Sequence, residues 1–199
     1  VPFVMKISAG FRYSIAACAL MLTGCLVPEK FAASVNVQSD GGYTFRYSGT
    51  AVHALAAAEI KKAGRLTEKD QVGLKAEAEK LSGHPGFRKA TYKGDGRYEL
   101  EIDSPKKPGQ PLDMLNIFSV RTDKDGVMTI ASKEIKDKEK RELEQLGITV
   151  NGTLEVNLPK NAEVISHNAT STPTLGFGSY AWKIGRLDQR PQMMVRFKR

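Results

Sequence analysis

The chain has 199 residues, of which 41% are hydrophobic and 26% charged, so it holds enough apolar material for the core of one domain. This composition excludes a collagen, a long coiled coil and a largely disordered chain. The formal net charge of +8 is compatible with a surface near anionic lipid headgroups, with weak nucleic-acid binding, or simply with a basic soluble surface.

The first 24 residues have the parts of a secretory signal peptide. Met5 is interpreted as the natural start, and a short basic region with Lys6 and Arg12 follows it. The apolar stretch over 15–22 is too short to span a bilayer, which needs about 20 apolar residues. Small residues end the segment, as at a signal cleavage site. We therefore expect residues 1–24 to be removed from the mature protein.

The end of this leader carries a more specific motif. The sequence Leu-Thr-Gly-Cys at 22–25 resembles the lipobox of bacterial lipoproteins. That resemblance implies cleavage after Gly24, thioether attachment of diacylglycerol to Cys25, and acylation of the new amino terminus with a chain such as palmitate. Two or three acyl chains anchor a protein firmly, at about 0.8 kcal/mol per buried CH₂. The alternative is a buried cysteine in an ordinary N-terminal helix.

The residue after the cysteine bears on location. It is Leu26 rather than an aspartate. In a bacterium with two membranes, the sorting rule of lipoproteins then implies the periplasmic face of the outer membrane. We expect a lipid-anchored protein of the cell envelope, with the membrane as its first partner through Cys25.

Residues 25–199 are predicted to form a single α+β domain. Strand patterns come in pairs and helical patterns in blocks, and no stretch is long enough to link two domains. The expected fold is a largely antiparallel β-sheet built from hairpins, with two or three packed helices. In chain order the predicted elements are strands 30–39 and 43–47, helices 51–63 and 67–82, strands 86–92 and 97–103, a loop over 104–111, strands 115–122 and 127–132, a helix over 133–146, and strands 149–158, 163–167, 180–184 and 193–197.

Two of these elements lead to further expectations. The first strand begins only a few residues after Cys25, so the domain is expected to sit close to the membrane without a long stalk. In the helix over 67–82, Thr67 has the character of an N-cap, with acidic residues in the first turn. The charged run at 75–80 in the same helix is expected to face solvent.

Metal-binding residues are sparse. His53, His84 and His167 are widely separated, and Cys18 and Cys25 both lie at the N-terminus. These positions do not have the spacing of metal ligands, and the folded part has no cysteine for a disulfide. We therefore expect no metal site.

The motifs of common enzymes are also missing. The sequence has neither the nucleophile elbow of hydrolases nor a phosphate loop. Asp123, Asp125 and Gly126 faintly resemble a calcium loop, but a hairpin turn explains them better. We expect no cofactor and no enzymatic activity, and export to the envelope removes nucleic acid as a partner.

The C-terminal part has a recognisable order of features. A strand ends in Leu158-Pro159, a short strand and Asn168 follow, and a later strand carries Trp182. This order resembles that of LppM-like envelope lipoproteins, which also place a strand hairpin directly after the lipidated cysteine. The resemblance implies a cell-envelope protein and, as for some members, binding of a lipid or glycolipid. It names no catalytic residue.

Tyr180 and Trp182 are the residues on which a ligand site is hypothesised. Trp182 is either a core residue, since tryptophan buries a large area, or lines an apolar pocket on a concave sheet face together with Tyr180. We expect a non-enzymatic envelope lipoprotein that binds a lipid or another amphiphile. The alternative is a protein-interaction or scaffolding module in a complex of envelope proteins.

Overall fold

The computed structural model describes residues 26–174 and 178–198, which form three helices and eleven strands. Cys25 and the leader that ends at Gly24 lie outside the described residues. In chain order the elements are β1 (Leu26–Val37), β2 (Tyr43–His53), α1 (Ala54–Ala63), α2 (Glu68–Ser82), β3 (Phe87–Gly94), β4 (Arg97–Lys106), β5 (Leu112–Met114), β6 (Phe118–Thr122), β7 (Val127–Ser132), α3 (Asp137–Gln145), β8 (Asn151–Asn157), β9 (Ala162–His167), β10 (Tyr180–Ile184) and β11 (Gln192–Phe197).

The strands form two sheets. The six-stranded sheet has the order β10-β8-β1-β2-β4-β3, and the five-stranded sheet has the order β5-β6-β7-β11-β9. Neighbouring strands are antiparallel except β1 and β8, which run parallel from Lys30 beside Asn151 to Asn36 beside Asn157. The predicted α+β class is confirmed, but the hairpins are divided between two sheets. Alternation along a strand is the same in either sheet, so the sequence pattern does not show this division.

The two sheets pack against each other through alternate side chains. In β1, Phe31, Ala33 and Val35 are buried, whereas the residues between them are more exposed. Phe118 of β6 lies across this surface, with its ring centroid 5.5 Å from that of Phe31 and 5.4 Å from that of Phe45. The same core continues under α2 through Ala78 and Leu81, as expected for the apolar stripe of that helix.

Phe31 occupies a slot between two glycines. Gly49 of β2 and Gly152 of β8 both lie beside Phe31 in the strand register. A Cβ atom at Gly49 would lie 2.2 Å from the carbonyl oxygen of Lys30, and one at Gly152 would lie 2.6 Å from the Phe31 ring. Both distances are far below a van der Waals contact. Close packing around Phe31 therefore requires glycine at both positions.

One predicted helix boundary is wrong. The helix expected over 51–63 begins only at Ala54, because Ala51 and Val52 continue β2 and pair with Tyr98 and Arg97 of β4. Alanine favours helix locally, but the buried ladder of β2 and β4 overrides that preference.

The loop expected over 104–111 is also shorter than predicted, because β4 runs through Pro105 to Lys106. Proline is tolerated there because the pairing of β4 with β3 ends at Ile102. The short strand β5 (Leu112–Met114), which follows this loop, has no counterpart among the predicted elements.

The slot around Phe31 leads to a stability prediction. Gly152→Ala is expected to lower the free energy of unfolding by roughly 1–3 kcal/mol, because the new methyl group overlaps the Phe31 ring. In a Phe31→Leu background the same change is expected to cost less, since the ring is gone. Urea denaturation of the four proteins in this double-mutant cycle measures the difference.

The matched control is Gly73→Ala on α2, where an added Cβ meets nothing within 4 Å. This change is expected to raise the free energy of unfolding by up to about 1 kcal/mol, because alanine is the better helix former. An equal loss from Gly152→Ala in both backgrounds would contradict the slot.

Candidate functional site

The start of β1 lies beside the start of α1. Leu26, the residue bonded to Cys25, pairs with His53 at the end of β2 and is fully buried. His53 is also the N-cap of α1, where its Nδ1 accepts a hydrogen bond of 3.3 Å from the backbone N–H of Ala56. Leu26 therefore lies at the end of the six-stranded sheet that is next to the first turn of α1.

Two grooves flank α1 at this end. The groove between α1 and α2 has a volume of about 510 Å³, and the groove between α1 and α3 has a volume of about 450 Å³. Leu55 borders both. The α1–α2 groove is further lined by His53, Ala56, Glu59, Leu66, Lys69, Asp70, Gly73 and Leu74. The α1–α3 groove is further lined by Ala54, Ala58, Lys61, Glu139, Glu142, Leu143, Gln145 and Leu146.

The orientation of α1 is set by its first turn. The backbone N–H of His53 donates to the carbonyl of Gly96 in the β3–β4 turn at 2.8 Å. Gly96 is packed so closely that a Cβ there would lie 2.6 Å from the Cβ of Ala56. Ala56 thus faces inward, and Leu55 is left 65% exposed between the two grooves.

A buried polar cluster lies behind the α1–α2 groove. Glu77 of α2 is only 8% exposed, and its Oε2 lies 3.2 Å from the hydroxyl of Tyr98 and 3.8 Å from Nε2 of His53. Its other oxygen, Oε1, is buried with no hydrogen-bond partner among the described residues. The cluster therefore joins the N-cap of α1 to α2 and β4.

Burial governs the titration of Glu77. Removal from water raises the pKa of this carboxyl above its ordinary value of 4.5, while the nearby His53, the Tyr98 hydrogen bond and Lys80 act in the opposite direction. Burial also raises the pKa of the Tyr98 hydroxyl, and the neighbouring Glu77 charge adds to that effect.

The expectation that the charged run at 75–80 faces solvent is wrong at Glu77. This residue follows Leu74 by three positions and precedes Leu81 by four, so it lies on the apolar stripe of α2. That spacing was the available signal. The other five residues of the run are charged or small, so its composition alone predicts an exposed surface.

The structure places Trp182 in the core and Tyr180 at the edge of the core. Trp182 is 4% exposed, and its indole Nε1 donates to Oδ1 of Asn168 at 2.8 Å. Tyr180 is half-buried, with its ring against that of His167 at a centroid distance of 4.9 Å. A small pocket of about 180 Å³ borders Trp182, with Thr170 on its wall. Neither aromatic residue lines the grooves beside α1.

Asn168 has the role of a structural link at this edge. Its Oδ1 accepts from the indole of Trp182 and from the backbone N–H of Gln192 at 2.8 Å. Its Nδ2 donates to the carbonyl of Arg190 at 2.7 Å. One amide therefore ties β10 to the start of β11, which explains an asparagine at this point of the C-terminal order of features.

Two features are absent from residues 26–174 and 178–198. No group of three or more His, Cys, Asp and Glu side chains in these residues is arranged to hold a metal ion. None of their helices combines the length and the apolar character needed to cross a membrane.

The fold has a weak similarity to a solved structure. Neither a protein-family model nor a curated protein matches this sequence. Among solved structures, the chain is similar to the NMR structure of the folded domain of the Mycobacterium tuberculosis LppM protein, with a TM-score of 0.36 and 12% sequence identity. The similarity covers 86% of this chain and 91% of that chain. A similarity of this size leaves the function to be argued from the residues themselves.

The buried carboxyl of Glu77 leads to a pH prediction. A carboxyl whose pKa is higher in the folded than in the unfolded protein binds more protons when folded, so stability falls as the pH rises above 4.5. Glu77→Gln keeps an acceptor for Tyr98 but has no charge to bury. The melting temperature of this variant, relative to that of the wild type, is therefore expected to increase between about pH 4 and pH 8.

Glu79→Gln is the matched control, because Glu79 is exposed on the same helix. Its melting temperature relative to that of the wild type is expected to show no such trend. A difference between Glu77→Gln and the wild type that stays constant over this pH range would show that burial does not perturb the carboxyl.

Proposed function

We propose that this protein is a non-enzymatic lipoprotein of the bacterial cell envelope that binds a lipid or another amphiphile beside its own anchor. Acyl chains on Cys25 hold it to the membrane. The observation that carries the proposal is the pairing of Leu26 with His53, because it brings the lipid attachment point to the helix that borders both grooves. The leader and the lipobox at 22–25 support export and acylation.

The α1–α3 groove has the chemistry of an amphiphile site. Its walls include Ala54, Leu55, Ala58, Leu143 and Leu146, which suit an acyl chain. Lys61, Glu139 and Glu142 form a polar rim that suits a headgroup. The volume of about 450 Å³ lies within the usual range for small-molecule sites.

A substitution on the wall of this groove tests amphiphile binding. Ala58→Gln is expected to fill the groove while keeping a good helix former, and to weaken binding of a fluorescent fatty acid about tenfold, or ~1.4 kcal/mol. Ala63→Gln, at the exposed end of the same helix, is expected to leave the affinity unchanged. Fluorescence titration of the purified protein measures both. The amphiphile proposal fails when the wild type binds no fatty acid, or when both variants bind as it does.

The anchor is tested by the mass of the protein isolated from membranes. The wild type is expected to begin at Cys25 and to carry the added mass of diacylglycerol and an amide-linked acyl chain. Cys25→Ser is expected to lose this added mass, whereas Cys18→Ser is expected to keep it, because Cys18 lies in the removed leader. An unmodified Cys25 in the wild type would contradict the anchor.

Location follows from the anchor in the same proposal. In a bacterium with two membranes, Leu26 after the acylated cysteine supports the periplasmic face of the outer membrane. Separation of the two membranes on a density gradient, followed by detection of the protein, checks this assignment. Recovery of the wild type with the inner membrane would overturn it.

The open face of the six-stranded sheet favours a second candidate function, that of a protein-interaction module. A shallow depression of about 440 Å³ lies there, with small side chains such as Ser34, Ser48 and Thr153. Arg46 and Arg88 flank it, and both are paired with Asp103, at 3.5 and 2.8 Å. A photo-crosslinking residue in place of Ser48 would capture a bound envelope protein in cells. Recovery of no protein neighbour would count against this function.

A further inference from the structure

Leu55 is a large apolar side chain that no neighbour covers. It is 65% exposed on the first turn of α1, and only Val72 and Ile165 are comparable large apolar side chains among the described residues. Its position between two grooves widens the apolar surface around it, because Ala54 and Ala58 lie on the groove wall beside it. An exposed apolar patch of this kind indicates a contact surface.

The position of Leu55 indicates what that contact is. Leu55 lies two residues after His53, and His53 pairs with Leu26. Only the bond from Leu26 to Cys25 separates the fold from the proposed acylation site, and one residue spans at most about 3.6 Å. Acyl chains on Cys25 therefore hold this end of the sheet, and the first turn of α1, against the headgroups.

The charges that follow Leu55 suit an anionic surface. Lys61, Lys62 and Arg65 are exposed at the end of α1 and just beyond it, against the single acid Glu59 in the helix. Lys62 and Arg65 form no ion pair within residues 26–174 and 178–198, and Lys61 donates to the backbone carbonyl of Gln145 at 2.7 Å. Cations near an anionic bilayer are attracted to it within a Debye length.

Geometry places the apolar and basic residues together. Leu55 and Lys62 are seven residues apart on one helix, so they lie on the same face of α1. α1 has ten residues and is therefore about 15 Å long, which lets the helix lie along the bilayer surface. Apolar side chains with neighbouring cations are characteristic of helices that rest in the bilayer interface.

We infer that this face of α1, formed by Leu55, Lys62 and the adjoining Lys61 and Arg65, docks onto the anionic surface of the membrane that holds the anchor. The inference rests on the proposed acylation of Cys25 and extends it. The lipid supplies attachment, and the α1 face fixes the orientation of the domain. In this orientation the bilayer contacts the α1 end of the domain, and the open face of the six-stranded sheet does not contact the bilayer.

The test measures the depth of a single label in the acylated protein. The mature wild type has no free thiol when Cys25 is acylated, so Leu55→Cys introduces one site for a fluorophore. The protein is placed in vesicles of phosphatidylethanolamine and phosphatidylglycerol that contain lipids with nitroxide headgroups. Ile165→Cys on β9 is the matched control, because Ile165 is also an exposed apolar residue. We expect nitroxide quenching at position 55 to be several-fold stronger than at position 165.

Charge reversal completes the test. Lys62→Glu with Arg65→Glu is expected to lower the quenching at position 55 several-fold, because anionic headgroups then repel the α1 face. Lys160→Glu with Lys198→Glu, near the far end of β1, is expected to leave it unchanged. Those two lysines lie beside Asn161, whose Nδ2 donates to the carbonyl of Ser39 at 2.9 Å.

The outcomes separate the inference from the proposed function. Equal quenching at positions 55 and 165 in a protein with acylated Cys25 overturns the docking alone. Absence of acyl mass on Cys25 overturns the anchor and the docking together. Shielding of position 55 from water in the unacylated Cys25→Ser protein, without detergent or vesicles, assigns the surface to a second copy of the chain and also overturns membrane docking.

Discussion

The rest of the structure depends on the packing of Phe31 between two glycines, with Gly49 against its backbone and Cβ and Gly152 against its ring. It joins the three neighbouring strands β2, β1 and β8. The strand β8 runs parallel to β1, and a hairpin connects only antiparallel strands, so this pairing depends on a contact between distant parts of the chain. The same ring stands edge-on to Phe118 at 5.5 Å and so joins the second sheet to the first. Because Phe31 comes five residues after Leu26, the first half of β1 is held in place, and one peptide bond joins Leu26 to Cys25.

This constraint has a consequence at the other end of the β1–β2 hairpin. The strand register fixes Leu26 opposite His53, and His53 starts α1 by capping it. The β3–β4 turn then presses on Ala56, so that Leu55 must point outward between the two grooves. In our proposal, one end of the domain therefore combines the anchor, the apolar grooves and the basic end of α1. The buried carboxyl of Glu77 lies behind the α1–α2 groove at the same end. Because burial raises its pKa, the free energy of unfolding falls as the pH rises.

Local signals in the sequence predicted much of the fold. The β1–β2 hairpin follows from the alternation of apolar and polar residues on both sides of the turn at Asp40 to Gly42. The start of α2 follows from Thr67, which forms a capping box with Asp70. The Oγ1 atom of Thr67 accepts from the N–H of Asp70 at 3.2 Å, and Oδ2 of Asp70 accepts from the N–H of Thr67 at 3.1 Å. Features set by distant contacts could not be predicted in this way. Ala51 and Val52 look helical until β4 pairs with them. The α1–α3 groove is lined by residues as far apart in the chain as Leu55 and Leu143. Acylation of Cys25 stays a prediction from the lipobox.

In our proposal, the acylated protein rests with its α1 end directly on the bilayer. Neutron reflectometry of the acylated protein on a supported bilayer of phosphatidylethanolamine and phosphatidylglycerol measures this arrangement, because it resolves protein, water and lipid along the membrane normal. We expect protein density that begins within the headgroup layer, with no water layer beneath the domain. A continuous layer of water between the headgroups and the domain would contradict it.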